Sequence, residues 1–184
     1  YFASDDGIRV VPASGGPSTL VVTETATVDP DVSPDGKSIV YAISEGDMKE
    51  GALKLVELAN PTAPKELGAT GWYPRFSPDG KRLAFASDNK IKMMDMATGK
   101  VTDVYDAGTF LASVDWFPDG KRLAITTDAG VGIVTLEPTP KHVLIREDFA
   151  AKTVDISANG LFIVYGINGL KNFFVLSRPP GSKQ

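Results

Sequence analysis

A short turn motif recurs four times in this chain, and its spacing restricts the possible folds more than any other feature. The copies are Ser33-Pro34-Asp35-Gly36, Ser77-Pro78-Asp79-Gly80, Phe117-Pro118-Asp119-Gly120 and Ser157-Ala158-Asn159-Gly160. Their glycines are separated by 44, 40 and 40 residues. A period near forty indicates a repeat architecture, in which each repeat is one supersecondary unit that packs against its neighbours.

Each copy of the motif predicts a β-hairpin. Proline presets φ at the second position of a type I turn, Asp is tolerated at the third, and Gly takes the left-handed conformation that follows. Such a connection joins two antiparallel strands tightly. An apolar, β-rich run follows each turn, as at residues 39–43 and 83–86, and a short strand precedes it.

Two further strands complete each unit. In the repeat that contains Gly80, residues 91–96 predict a third strand and residues 101–105 a fourth. The chain shows no helical periodicity. Four short strands in about forty residues are typical of a propeller blade. The sequence therefore predicts an all-β fold, a β-propeller of four-stranded antiparallel blades.

The chain contains four to five blades' worth of sequence, which we interpret as one β-propeller domain or fragment over residues 1–184. Three predicted blades are complete and two are incomplete. The complete blades are 29–71, 72–110 and 111–150, and the incomplete ones are 1–28 and 151–184. The first begins within a second strand, and the last ends at a predicted turn over residues 178–181.

Three interpretations of the incomplete blades remain open. The chain could be part of a larger propeller ring, a small closed propeller of four or five blades, or half of a ring that two chains complete. Missing blades or self-association would then supply the remaining strands. The interruption of both terminal repeats favours the larger ring.

The repeat pattern apolar–x–Ser-Pro-Asp-Gly-Lys-x-apolar-x-aromatic resembles the WD-type repeats of TolB-like β-propellers. Related blades occur in the propeller domains of prolyl-oligopeptidase-like and tricorn-type proteases. The resemblance covers essentially the whole chain at the level of the repeat. It implies a protein-interaction module in an exported bacterial setting, either periplasmic or extracellular at the cell surface.

Composition excludes several classes of function. The net charge is -4 and the Lys and Arg residues are not clustered, which argues against a nucleic-acid partner. Cysteine is absent, so the chain has neither disulfides nor thiolate metal sites. The longest apolar runs have strand length, so no membrane span is predicted. We predict no cofactor and no metal site.

Equivalent polar residues on the innermost strand of each blade are candidate binding residues of the central channel. They are Asp31, Arg75, Asp115 and Asp155. Inner strands border the channel of a propeller, so these side chains could converge there and hold a hard cation or the basic group of a ligand. The alternative is hydrogen bonding and charge pairing between blades, in which Arg75 neutralises the flanking Asp residues.

Aromatic residues in the loops that enter the inner strands are a second set of candidates. They are Trp72, Tyr73, Phe110 and Phe149. Connections between second and third strands lie on the same face and carry acidic residues, namely Glu45, Asp47, Glu50, Asp88 and Asp128. Aromatic side chains dominate binding hot spots, so we predict that this face binds a protein or peptide. Inter-blade packing is the alternative for Trp72.

Catalytic residues are not predicted. His142 is the only histidine and lies on a predicted outer strand, and no Gly-x-Ser-x-Gly motif occurs. The favoured function is a non-catalytic propeller module for protein interaction. One alternative is the accessory propeller of a serine peptidase whose catalytic domain lies outside this sequence. A weaker alternative is an ion- or carbohydrate-binding propeller that uses the channel carboxylates.

Overall fold

The computed structural model describes residues 1–44, 46, 50–167 and 173–177. Throughout these ranges the regular secondary structure is antiparallel β-sheet, which confirms the predicted fold class. No helix in the described ranges is long and apolar enough to cross a bilayer. The predicted turn at residues 178–181 lies outside the described residues.

The first two sheets contain the N-terminal and central blades. The first sheet is β1 (Phe2–Ser4), β2 (Gly7–Val10) and β3 (Thr19–Val22). The second is β4 (Thr27–Val32), β5 (Ser38–Ile43), β6 (Gly51–Glu57), β7 (Lys65–Phe76), β8 (Arg82–Ser87), β9 (Lys90–Asp95) and β10 (Val101–Asp106). Neighbours in sequence are neighbours in each sheet, as in a propeller blade.

Strand β7 joins two blades into the single seven-stranded sheet. Its residues up to Gly71 pair with β6, where Gly71 lies opposite Gly51. From Trp72 onwards it pairs with β8, where Trp72 lies opposite Ala86. The same strand is therefore the outer strand of one blade and the inner strand of the next.

The last two sheets contain the C-terminal blades. One is β11 (Leu111–Trp116), β12 (Arg122–Thr127), β13 (Gly130–Thr135) and β14 (Lys141–Glu147). The other is β15 (Ala151–Ile156), β16 (Phe162–Ile167) and β17 (Phe173–Ser177). The described chain thus forms five consecutive blades, of which three have four strands.

The recurring turns have the predicted conformation. In the first, the Gly36 N–H donates to the Ser33 carbonyl oxygen at 2.8 Å, and Gly36 has a φ of +70°. The Ser33 hydroxyl donates to Asp35 Oδ1 at 2.6 Å and accepts the Ser38 N–H at 2.9 Å. The glycines of the other three turns have φ values of 65° to 69°. Local turn chemistry therefore determines where each hairpin reverses.

The hydrophobic core lies between blades. On the second strand of each central blade, consecutive side chains are buried on both faces of the sheet, as at Ile39, Val40 and Tyr41, each with 0% exposure. A strand that is covered on both faces has a nearly continuous run of apolar residues in its sequence. Each fully buried Ile or Val stabilises the fold by about 1.5–3 kcal/mol. Neighbouring blades are thereby held in a fixed arrangement around the channel.

Candidate functional site

Two inner strands contain a matching irregularity beside the channel. Pairing with the second strand shifts between Val28 and Asp31 on β4, and between Trp72 and Arg75 on β7. Asp29 and Tyr73 within these bulges have φ values of 53° and 51°. Both residues precede proline, where an extended conformation is normally preferred. Bulges of this kind redirect the side chains that follow them, here Asp31 and Arg75.

The carboxylates of Asp31 and Asp115 each bind the backbone of the next blade. Asp31 Oδ2 accepts the Phe76 N–H at 2.8 Å. Asp115 Oδ2 accepts the Ile156 N–H at 2.7 Å. Both bonds connect inner strands of adjacent blades, β4 with β7 and β11 with β15. Each carboxyl group therefore links the inner strands of two neighbouring blades through a backbone hydrogen bond.

Arg75 occupies the equivalent position on β7 but makes different contacts. Its guanidinium donates to the carbonyl oxygens of Pro74 at 3.0 Å and Asp29 at 3.3 Å. Its own carbonyl oxygen accepts the indole N–H of Trp116 at 3.1 Å. Within the described residues, Arg75 has no carboxylate oxygen within 4.0 Å. Its charge therefore acts on the channel acids over a longer distance.

Burial and mutual charge set the electrostatics of these inner-strand residues. Burial raises the pKa of Asp29 and of Asp31, and the positive charge of Arg75 opposes both shifts. Burial, reinforced by the Asp155 carboxylate, raises the pKa of Asp115 to about 7, again opposed by Arg75. Asp155 also raises the pKa of Asp31. Because these groups influence one another, we treat all five as one axial cluster.

Asp115 is the member of the axial cluster whose pKa, raised to about 7, lies near neutral pH. The sequence prediction missed Asp29, although its position two residues before Asp31 and next to Pro30 places it at the same bulge. Among the described residues, no group of three or more His, Cys, Asp or Glu side chains is arranged to hold a metal ion.

The structure corrects the predicted position of two aromatic residues. Trp72 and Tyr73 lie in strand β7 and not in a loop, because this strand continues from one blade into the next without a turn. Both side chains are partly buried. They pack against the core between the blade that contains β8 to β10 and the blade that contains β11 to β14. Gly71 precedes them, and a Cβ at that position would lie 2.5 Å from the Ala86 carbonyl oxygen. The backbone of β7 therefore lies close to that of β8 at the position where a loop was expected.

Phe110 and Phe149 lie where connections lead into inner strands, as expected. Phe110 directly precedes β11 and is 39% exposed, and Phe149 lies in the turn before β15 and is 77% exposed. The Lys152 ammonium lies 5.7 Å from the centre of the Phe110 ring. Both predicted positions at the entries to inner strands are therefore confirmed, and both side chains are exposed.

The acidic residues of this face are partly engaged within the protein. Glu45 and Asp47 lie outside the described residues. Glu50 accepts hydrogen bonds from the Ser87 hydroxyl at 2.9 Å, from the Thr70 hydroxyl at 3.2 Å and from the Asp88 N–H. This acidic side chain therefore connects two neighbouring blades and is less available to a partner.

His142 is placed in the packing between two blades. It lies on β14, and a Cβ at Gly132 would be 2.1 Å from its Nε2 atom, so the ring lies directly over this glycine. The Tyr105 ring is 5.7 Å away. Its buried Nε2 has no hydrogen-bond partner within the described structure, and burial lowers its pKa. These contacts are those of a packed side chain.

Similarity of the sequence to known proteins is partial. No protein-family model matches the chain. The chain is 28% identical over 127 residues to a Bacillus subtilis (strain 168) protein described as "Uncharacterized peptidase YuxL". This match covers 62% of the chain and 19% of that protein, so the chain spans about a fifth of its curated relative.

Solved structures of TolB are similar to the chain over most of its length. TolB from Acinetobacter baumannii superposes with a TM-score of 0.71 at 24% identity, covering 91% of this chain and 44% of that one. A putative TolB from Agrobacterium tumefaciens gives 0.75 at 18% identity, with coverages of 94% and 69%. An oligogalacturonate lyase in complex with manganese gives 0.64 at 15% identity, with coverages of 94% and 56%. The chain therefore has the fold of a TolB-like β-propeller.

Proposed function

We propose that this propeller is a non-catalytic module that binds another protein or a peptide. The observation that supports this role most directly is the exposure of Phe149 and Phe110 where the chain enters two inner strands, with the Lys152 ammonium beside the Phe110 ring. Phe149 is 77% exposed and Phe110 is 39% exposed. A large exposed aromatic side chain is unfavourable in water and gains free energy when a partner covers it.

The axial cluster gives this surface a chemical preference. The cluster contains four carboxyl groups and one guanidinium, and two of the carboxylates keep one oxygen for the inter-blade bonds. A partner that places a Lys, an Arg or a free amino group at the channel mouth would complement this charge. We therefore propose a peptide or protein segment with a basic residue as the ligand of this face.

Affinity capture with paired variants tests the proposed role. Immobilised wild-type chain is compared with Phe149→Ser and with Val143→Ser, and bound proteins from cells of the source organism are quantified by mass spectrometry. Val143 is 55% exposed on the outer strand β14 and is the matched control. A partner retained by wild type and Val143→Ser but lost with Phe149→Ser supports the proposal. Equal retention by all three proteins contradicts it.

A second candidate function is supported by the similarity to the peptidase YuxL. The propeller would then be an accessory domain that guides substrate to a catalytic domain elsewhere in a longer protein. The match covers only 19% of YuxL, and no Gly-x-Ser-x-Gly motif occurs in this sequence. This function is compatible with a peptide-binding face, since such a face could orient a substrate.

Labelling with a fluorophosphonate probe distinguishes the two candidates. If the gene encodes a peptidase, the full-length protein reacts with the probe while the 184-residue chain does not. If the full-length protein is also unreactive and contains no nucleophilic serine motif, the accessory role is excluded. An ion- or carbohydrate-binding role has less support, because the described residues contain no cluster arranged for a metal ion.

The TolB-like fold also supports an exported location, periplasmic or at the cell surface. Fractionation of the source cells, with detection of the native protein by antibody, tests this proposal. Recovery in the cytoplasmic fraction would contradict it.

A further inference from the structure

A groove lies on the opposite end of the propeller from the aromatic face. Because successive strands run antiparallel, the turns after β4 and β7 lie at one end of the blades, while the connections that enter the inner strands lie at the other. The groove separates these two turns and has a volume of about 510 Å³. Volumes of roughly 300–1,000 Å³ are typical of ligand-binding clefts. We call it the inter-turn groove.

The floor of the inter-turn groove is apolar and belongs to three different strands or turns. Phe76 at the end of β7 is 8% exposed, and Leu55 on β6 and Met96 after β9 are partly buried. The Met96 N–H donates to the Lys81 carbonyl oxygen at 2.9 Å, which holds this residue in place. Methionine adapts its shape to different apolar groups. The floor therefore suits a large aliphatic or aromatic side chain.

Two contacts hold the walls of the groove together. A Cβ at Gly80 would lie 3.5 Å from Pro34 Cδ, so the two turns are in close contact at the inner end. The Asp31–Phe76 hydrogen bond between β4 and β7 holds the same two blades together. A groove between two fixed turns is already formed before a ligand arrives, which reduces the entropy lost on binding.

The rim carries two carboxylates, Asp35 and Asp79, and the residues that line the groove include neither Lys nor Arg. In each Asp, Oδ1 accepts the internal hydrogen bonds from a serine hydroxyl and a backbone N–H. Oδ2 of Asp79 has no hydrogen-bond partner among the described residues, and Oδ2 of Asp35 has only the exposed Lys37 ammonium at 3.9 Å. These outer oxygens are available to a cationic ligand group.

Both rim carboxyl groups remain ionised over the physiological pH range. The serine hydroxyl bonds, followed by the bonds from the backbone N–H groups, lower the pKa of Asp35 and of Asp79. The apolar floor and the anionic rim together favour a ligand that combines an apolar group with a positive charge.

We propose that the inter-turn groove binds peptide segments in which a large apolar side chain lies next to a lysine or arginine. The apolar side chain covers Leu55, Phe76 and Met96, and the basic group contacts the Oδ2 atoms of Asp35 and Asp79. This site is separate from the aromatic face, so it does not depend on the function proposed above.

The next groove along the ring provides an internal comparison. It lies between the turns after β7 and β11 and has a volume of about 400 Å³. Its lining includes the cationic side chains of Arg82 and Lys121. It also includes the carboxylates of Asp79 (which borders both grooves), Asp119 and Glu137 and two prolines, but no Leu, Met or Phe. It should therefore not bind the same peptides, although its turns have the same backbone conformation.

Asparagine substitutions provide a specific test, because the fourth turn already has an asparagine at the position of Asp35 and Asp79. In the fourth turn, Asn159 Oδ1 accepts the Ser157 hydroxyl at 2.8 Å and the Leu161 N–H at 3.1 Å. These are the bonds that Asp35 and Asp79 make in their own turns. Asp35→Asn and Asp79→Asn therefore remove the charge and preserve the turn. Asp119→Asn, on the next groove, is a control for loss of a carboxylate outside the inter-turn groove, with the difference that Asp119 Oδ2 accepts the Arg122 Nε–H at 2.6 Å.

The probe is the peptide acetyl-Gly-Leu-Arg-Leu-Gly-amide, titrated into the isotope-labelled chain and followed by NMR. We expect amide shifts at Gly36, Gly80 and Met96. Asp35→Asn and Asp79→Asn should each weaken binding about tenfold, the effect of one charge-assisted hydrogen bond, whereas Asp119→Asn should change it less than about twofold. Replacing the arginine by citrulline should weaken binding similarly.

Three results would overturn the proposal. The first is the absence of shifts at the two turn glycines, and the second is equal binding of the arginine and citrulline peptides. The third is a set of shifts centred on Asp115 and Ile156, which are not lining residues of the groove and whose shifts would assign the peptide to the axial cluster. None of these results bears on the partner of the aromatic face, which the Phe149→Ser experiment tests separately.

Discussion

The carboxylate of Asp115 binds the backbone N–H of Ile156, a residue 41 positions further along the chain, at 2.7 Å. The bond joins the inner strands of two blades that are also held together by apolar packing and by the bonds from the Val154 N–H to Ser113 Oγ and from the Thr126 hydroxyl to the Lys152 carbonyl oxygen. Its acceptor has a pKa raised to about 7 by burial and by the charge of Asp155. The contact between these blades is therefore linked to the protonation of one carboxyl group.

Asp115→Asn should stabilise the protein at alkaline pH. A folded-state pKa of about 7 exceeds the ordinary value of about 4, so the folded state binds the proton more tightly than the unfolded state. The stabilisation that Asp115 gains from binding this proton is fully present below about pH 4 and is lost as the pH rises through about 7. Asparagine keeps an acceptor for the Ile156 N–H without a buried charge. We expect the variant to gain about 1–3 kcal/mol over wild type at pH 8.

Urea denaturation of wild type and Asp115→Asn at several pH values measures this difference. The gain should shrink as the pH falls, because the wild-type carboxyl group becomes neutral. A gain that does not depend on pH would show that Asp115 does not titrate in this range.

Arg75→Met should raise the pKa of both Asp31 and Asp115. The guanidinium lowers the pKa of each by its charge without contacting either carboxylate directly. Carboxyl-carbon NMR titration should show both midpoints at higher pH than in wild type. Arg82→Met is the control, since Arg82 packs over Trp116 and donates to the Gly120 carbonyl oxygen outside the axial cluster. Equal effects of the two substitutions would contradict a specific role for Arg75.

Gly160→Ala should destabilise the protein more than Gly36→Ala. Both glycines have left-handed φ values, 68° and 70°, which cost an alanine about 1–2 kcal/mol. A Cβ at Gly160 would also lie 3.2 Å from Pro118 Cδ, whereas a Cβ at Gly36 would contact nothing within 4 Å. The free energies of unfolding of the two variants, measured in urea, provide the comparison. Equal losses would mean that the contact between neighbouring turns relaxes without cost.

His142→Phe should reduce the acid sensitivity of the protein. Burial lowers the pKa of His142, so the unfolded state binds this proton more readily and the stability falls as the pH drops below about 6.5. Phenylalanine preserves a ring beside Tyr105 and removes both the titration and the unpaired Nε2 atom. Relative to wild type, the variant should be more stable at about pH 5 than at about pH 8.

Thermal unfolding at the two pH values measures the effect. His142→Gln, which is polar and does not titrate, is a second variant in case the larger ring disturbs Gly132. If both variants retain the wild-type pH dependence, another group causes it.

Much of the fold could be predicted because its signals are local. The Pro-Asp-Gly turns depend on the φ preferences of adjacent residues, and the apolar runs after them indicate strands that are buried on both faces. The loop assigned to Trp72 and Tyr73 was wrong for a related reason. No local signal shows that β7 continues from one blade into the next, since this depends on pairing with β6 and β8 together.

The candidate site was less predictable than the fold. The equivalence of Asp31 and Asp115 follows from the repeat, but their backbone partners Phe76 and Ile156 lie on other blades. Asp29 was missed as a member of the axial cluster. Its raised pKa results from burial in a site that includes Arg75, and Arg75 is 46 residues away in the sequence. The sequence also does not show that the turns at Pro34 and Gly80 are close enough to enclose a groove.

The sequence by itself determined the all-β class, the repeat and the position of each hairpin, because φ preferences and strand patterns act between adjacent residues. Only the tertiary structure decided that Asp115 bonds to Ile156 and has a pKa near 7, and that Asp35 and Asp79 border one groove. The physical reason is that desolvation and electrostatic interaction depend on distances in space, and the blades bring together residues about forty positions apart.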